Sequence, residues 1–165
     1  MKKERREEKL IAFTKWIAIC LVFLVLSTLS MPFAKEQLLD GSTASYPTYY
    51  AVFGGDFAFS DKTLTYTMTF NLNIYLLIAY QLSILSGVAF FFLNRKRANL
   101  IVALVLSFSS FIAMLLMPQL VKLGTPGFIV ENLQIGIGPI ISSTSLLFIQ
   151  LITLFHLLFD KRFTT

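Results

Sequence analysis

Four long apolar runs dominate the chain, each closed by a short polar or helix-breaking stretch. The first covers about residues 14–31 and is stopped by Pro32, whose ring nitrogen cannot donate the bond a continuing helix needs. The second covers 73–93, enough for about 30 Å at the rise of an α-helix, the thickness of a bilayer core. The third covers 99–117, with Pro118 at its end. The fourth, 135–159, is longer than a perpendicular crossing needs, so it should tilt or begin with a distorted turn at Gly136, Gly138 and Pro139. The expected fold is an all-α membrane bundle of four transmembrane helices, a single integral membrane domain over residues 1–165.

A different period appears in the hydrophilic stretch 32–70. Thr63-Leu64-Thr65-Tyr66-Thr67-Met68-Thr69-Phe70 alternates threonine with large apolar residues, the pattern of a strand with one wet and one greasy face. Asp56-Phe57-Ala58-Phe59-Ser60 alternates again. Thr48-Tyr49-Tyr50-Ala51-Val52-Phe53 is rich in strand formers, and Gly54-Gly55 after it permits a tight turn. Residues 32–70 are therefore expected to hold a small antiparallel hairpin or sheet of two or three strands. An irregular aromatic loop lying in lipid headgroups is the alternative.

Charge gives these elements a direction. Asn94-Arg95-Lys96-Arg97 joins the second and third runs so tightly that the two must form a hairpin. Arg95, Lys96 and Arg97 are its topology determinants. With both termini on the side of this turn, eleven of the 14 Lys and Arg residues fall on that side. Lys35, Lys62 and Lys122 fall on the other. The positive-inside rule makes the basic side cytoplasmic and residues 32–70 an outer loop. The segment 118–134, with Gly124, Pro126 and Gly127, reads as a second outer connection. The charged head 1–9 should be helical and continuous with the first run, and Trp16 and Lys15 suit its cytoplasmic boundary. A cleaved signal peptide would place Pro32 three residues before the cut after Ala34, where a small residue is wanted, so a retained anchor is expected.

Composition agrees with this picture. The chain is 56% hydrophobic and 14% charged, against roughly 25% charged in soluble domains. The net charge of +5 sits beside the apolar runs, which fits anionic headgroups and argues against nucleic acid as a partner. Cys20 has no second cysteine to pair with, and Ile19 before it does not suit a lipobox. One cysteine and one histidine, His156, give no basis for a His/Cys metal cluster, and no cofactor is implied.

No charged residue lies in the middle of a run, which counts against proton-coupled transport. The deep polar residues are neutral. Small residues recur every three or four positions at Ala79, Ser83 and Gly87, at Ala103, Ser107 and Ser110, and at Gly138, Ser142 and Ser145, strips that let membrane helices pack closely. Gln81, Ser83, Ser143 and Gln150 form a candidate polar interior, with Gln81 and Gln150 able to face one another. His156 and Asp160 share a helical face, but the serines lie several turns deeper. That spacing favours an interfacial histidine over an acid–base pair.

A long first outer segment with strands, a short basic inner turn and a shorter second outer segment together resemble the claudin-type tetraspan plan. The resemblance is one of topology. The Trp-containing signature and cysteine pair of claudins have no counterpart in 33–70, so no functional residue carries over. The chain also resembles small four-span membrane proteins of bacteria, which implies a bacterial plasma membrane. The expected role is a non-enzymatic scaffold or accessory subunit. It would contact a membrane-protein partner or a second copy through Tyr46, Tyr49, Tyr50, Phe53, Phe57 and Phe59, with the lipid bilayer as its other partner. The alternative is a small transporter or lipid-handling protein using the polar interior.

Overall fold

The charged head and the first apolar run contain no proline or glycine before Pro32. In the computed structural model, which describes residues 2–37, 41, 43–60, 65–91, 97–125 and 133–159, they form one helix, α1 (Lys2–Ser27). The helix tightens into a 3-10 turn at Thr28–Ser30, closed by the Met31 N–H donating to the Thr28 carbonyl at 3.0 Å. Pro32 then opens a strand, β1 (Pro32–Gln37), which pairs antiparallel with β2 (Thr43–Pro47), Ala34 lying opposite Tyr46. On its other edge β1 takes β5 (Leu133–Ile135), from the far end of the sequence, with Ala34 opposite Ile135. The sheet order is β2-β1-β5.

The expectation of a strand at 48–53 is corrected: those residues form a short helix, α2 (Thr48–Phe53). Their aromatic and β-branched character favours strands, but the tertiary setting overrides it. Thr48, Ala51 and Val52, at helical spacing, are buried together. Thr48 anchors the start, its N–H and its hydroxyl both donating to the Met31 carbonyl, at 2.9 and 2.8 Å. Gly54 ends the helix at φ 78°, its N–H donating to the Tyr50 carbonyl. A Cβ at Gly54 would lie 2.9 Å from both Leu72 N and Phe70 O, so this left-handed position suits glycine alone. Gly54-Gly55 therefore joins a helix to a strand and is not a hairpin turn.

The second strand pair matches its alternation. β3 (Gly55–Ser60) and β4 (Thr65–Phe70) run antiparallel, with Gly55 opposite Phe70 and Ser60 opposite Thr65. Thr65, Thr67 and Thr69 are exposed while Phe70 is buried. Thr63 and Leu64 lie outside the described residues.

Three more apolar helices follow: α3 (Ile74–Phe91), α4 (Arg97–Leu115) and α6 (Ile137–Phe159). The segments Lys9–Ser30, Arg97–Leu115 and Ile137–Leu158 are long and apolar enough to cross a membrane; the apolar stretch of α3, Ile74–Phe90, is shorter. The segment 118–134, expected as a second outer connection, holds most of α5 (Met117–Gly124) and the start of β5. Pro118 does not end helical structure. It sits in the first turn of α5, where its missing N–H leaves no bond unmade. The fourth run begins as a strand at Ile135 and becomes helical at Ile137.

The long helices close a ring in which α1 packs on α3, α3 on α4, α4 on α6 and α6 on α1. Their connections put both sheets, α2 and α5 at one end, forming a cap. At the opposite end α3 finishes at Phe91 and α4 begins at Arg97, which is exposed; the predicted topology determinants Arg95 and Lys96 lie outside the described residues. One continuous apolar cluster joins ring and cap, from Val25, Leu76 and Leu146 through Val121 to Phe33, Tyr46, Val52 and Phe70. A smaller cluster around Ala18, Phe90, Leu100 and Ala103 fills the other end.

Candidate functional site

The aromatic side chains of the cap form a graded series from core to surface. Phe33 of β1 is fully buried and meets Tyr46 of β2 and Phe70 of β4 at ring-centroid distances of 6.2 and 6.1 Å. Tyr46 contacts Phe57 of β3 at 5.8 Å, and Phe57 contacts Tyr50 of α2 at 5.3 Å. Tyr49 continues the series, 5.7 Å from Tyr50 and 5.0 Å from Phe53. Tilted and edge-on contacts of this kind add to the burial of each ring.

Of the six aromatic residues expected at the contact surface, Tyr46 is corrected outright: it is 2% exposed and belongs to the core. Its hydroxyl donates to the Glu36 carboxylate at 2.6 Å. Burial pushes its pKa well above the ordinary phenol range, and the hydrogen bond and negative charge of Glu36 push the same way. Tyr50 and Phe57 are half-buried. Tyr49 and Phe53 are exposed at 52% and 43% and form the outward face of α2. The Phe59 side chain lies outside the description.

Three of the four residues expected to form a polar interior are buried, and no hydrogen bond joins them to one another. Ser83, Ser143 and Gln150 are buried. Ser83 donates to the Tyr80 carbonyl at 2.7 Å, one turn back on its own helix. Ser143 Oγ and Gln150 Nε2 are buried with no hydrogen-bond partner. Gln81 is the second correction. It is exposed on the outside of α3, and α3 and α6 stand diagonally across the ring, so Gln81 does not face Gln150. Helical phase explains the difference, because Ala79, Ser83 and Ser86 occupy the buried face of α3 and Gln81 points to the opposite side of the helix. The small strips do face inward: Ala79, Ser83, Ala103, Ser107, Ser110, Ser142 and Ser145 are all buried.

Hydrogen bonds between elements fix the ring and seat the cap. Ser110 of α4 donates to the Ala79 carbonyl of α3 at 2.8 Å. Thr28 gives its proton to the Val25 carbonyl, and its oxygen lies 2.9 Å from the Tyr80 hydroxyl, which ties α1 to α3. At the opposite end Thr14 Oγ1 lies 2.9 Å from His156 Nε2, joining α1 to α6, and Phe90 meets the imidazole edge-on at 5.8 Å. Asp160, expected beside His156, lies outside the described residues. Asn73 was not singled out from sequence. It caps α3 by accepting from Leu76 N–H at 3.2 Å, donates from Nδ2 to the Leu120 carbonyl at 2.6 Å, and gives its backbone N–H to Val52. An asparagine immediately before an apolar helical run was the available signal.

Among the described residues, open apolar grooves run along the ring. One of about 280 Å³ lies between α1 and α3, lined by Val22, Phe23, Ile84 and Val88. One of about 270 Å³ lies between α3 and α4 under α5, lined by Tyr75, Ile78, Ile112 and Leu120. Another, about 390 Å³, lies between α4 and α6, with Gln150 among Leu104, Phe108 and Leu151. Among the described residues no group of three His, Cys, Asp or Glu side chains is placed to hold a metal ion. Comparison with protein-family models, curated proteins and solved structures returns no match.

Proposed function

We propose that the chain is a four-span integral membrane protein of the plasma membrane, with cytoplasmic termini, acting as a non-enzymatic scaffold or accessory subunit through its outer cap. The observation that carries the membrane reading is the apolar outer surface of the ring. Phe23, Ile84, Val105, Phe148 and Leu151 are all exposed on helices that a water-soluble bundle would cover with charge. Exposed Trp16 near one end of the ring, with Tyr49 and Tyr75 at the other, fits the aromatic belts at the two faces of a bilayer. The contact surface is narrower than the sequence suggested: Tyr49 and Phe53, held outward by the buried face of α2.

The test is single-cysteine labelling in intact cells, in a Cys20→Ala background. Thr67→Cys in the hairpin should react with an impermeant maleimide from outside, and Ala98→Cys only after the membrane is opened. Photocrosslinking from position 49 should then capture a second protein chain. Recovery of monomer alone from that position counts against the scaffold role.

A second reading rests on Ser143 and Gln150. A buried donor without an acceptor costs roughly 1–3 kcal/mol, which a polar solute or water reaching these side chains would relieve. Gln150→Cys distinguishes the readings. Reaction with a small water-soluble thiosulfonate supports a small transporter or lipid-handling protein, and inertness supports a packed interior.

A further inference from the structure

Gln81 lies on α3 seven residues after Ile74 and ten before Phe91, about 10 Å and 15 Å from the two ends of the helix. It is exposed, and no hydrogen-bond partner for it is found among the described residues. In the four-span reading, on which this inference rests, that position is within the hydrocarbon. Lipid tails offer a carboxamide neither donor nor acceptor, so another transmembrane segment is the chemistry that relieves it.

The sequence around Gln81 says what form the segment takes. Ile74, Ile78, Gln81, Leu85 and Val88 are spaced 4, 3, 4 and 3, the seam spacing of a helix pair. All five are exposed on α3. The seam is a ridge with an apolar groove on either side, one shared with α1 and one with α4. Ridges flanked by grooves interdigitate when two like helices meet.

We infer that α3 is a homodimer interface, in which Gln81 of one chain hydrogen-bonds to Gln81 of a second copy. Two arguments select a second copy. Copies of one chain insert with one orientation, so their α3 helices run parallel, and in a parallel pair equivalent seam positions face each other. A carboxamide carries both a donor and an acceptor, so a twofold pair of glutamines satisfies both sides with one residue type. A single polar residue in an apolar seam also fixes register, since any slip leaves two carboxamides in hydrocarbon.

The experiment uses the full chain in native membranes, again with Cys20→Ala. Leu85→Cys on the seam should form a disulfide-linked dimer on mild oxidation. Phe148→Cys, exposed on α6, should remain monomeric. Adding Gln81→Leu to Leu85→Cys should weaken the dimer roughly five- to tenfold, whereas Gln81→Asn should retain most of it. Equal crosslinking from positions 85 and 148, or a dimer unchanged by Gln81→Leu, overturns the inference. So does a crosslinked product whose mass is not that of two chains. Labelling of Thr67→Cys and Ala98→Cys from opposite faces, with no dimer at position 85, overturns the interface alone. Labelling of both from one face overturns the four-span reading and the interface with it.

Discussion

Tyr46 shows how far a single side chain can depart from what its type suggests. It is an aromatic residue in a hydrophilic stretch, yet it is buried and its hydroxyl is spent on Glu36. Tyr46→Phe should cost about 1–2 kcal/mol, read as a lower unfolding temperature in mild detergent at neutral pH. The raised pKa of Tyr46 also predicts a pH dependence. Its contribution is complete below the ordinary phenol pKa of about 10 and is lost as pH rises from there towards the higher folded value, because the unfolded chain ionises first. Tyr46→Phe should flatten that alkaline loss, measured as unfolding temperature against pH. The sequence pattern points Tyr46 to the surface and Gln81 to the interior, and each lies on the other side. Residue type tells what a side chain can bond. The direction it points depends on helical or strand phase, and in an apolar helix whose outside is also apolar, hydrophobicity does not mark the phase.

Among the elements, the long helices and the β3–β4 hairpin were legible because their signals are local: uninterrupted apolar runs, and threonines at every second position with a greasy residue between. The head of α1 was legible for the same reason, being continuous with the run after it. α2 is hidden in the sequence because the strand propensity of its residues competes with its punctuation, a proline before it, a glycine after it and apolar residues at helical spacing between. β1, β2 and β5 are hidden on different grounds. They are short and mixed in composition, and β1 has one of its partners about 100 residues away, so no period in the neighbouring sequence reveals them. Asn73 is where several elements meet, since it joins α3 to α5 and α2. Asn73→Ala should cost about 2–3 kcal/mol by removing the cap and the side-chain bond to the Leu120 carbonyl. Asn73→Asp keeps an acceptor for Leu76 N–H and loses the bond to Leu120. Hydrogen exchange should therefore show Leu76 deprotected in the alanine variant and protected in the aspartate variant. Gly124 belongs to the same junction: a Cβ there would lie 2.6 Å from Asn73 Nδ2, so the close approach of α5 to α3 depends on its absence.

For the whole molecule, the ring and the cap share one core, and the cap ties the end of α1 to the beginning of α6. Gly136 is central to that tie. Its N–H donates to the Phe33 carbonyl at 2.8 Å, and a Cβ on it would fall 2.1 Å from the Pro32 carbonyl oxygen. Gly136→Ala should therefore part β5 from β1, read as faster amide exchange at Gly136 and along β5, with the β3–β4 hairpin unaffected. The antiparallel alternation of the long helices was legible from the apolar runs and their short connections. The order of the ring was not, because every long helix carries small residues able to meet any other. The sheet order β2-β1-β5 has a consequence for biosynthesis. A ribosome adding roughly 5–20 residues per second completes β1 some seconds before it makes β5. Throughout that interval β1 has its neighbour on one side only, and the open edge is a template for any passing strand. β5 is thus a late clasp, and a nascent chain that stalls before Leu133 presents an unpaired strand to the machinery that decides between maturation and degradation.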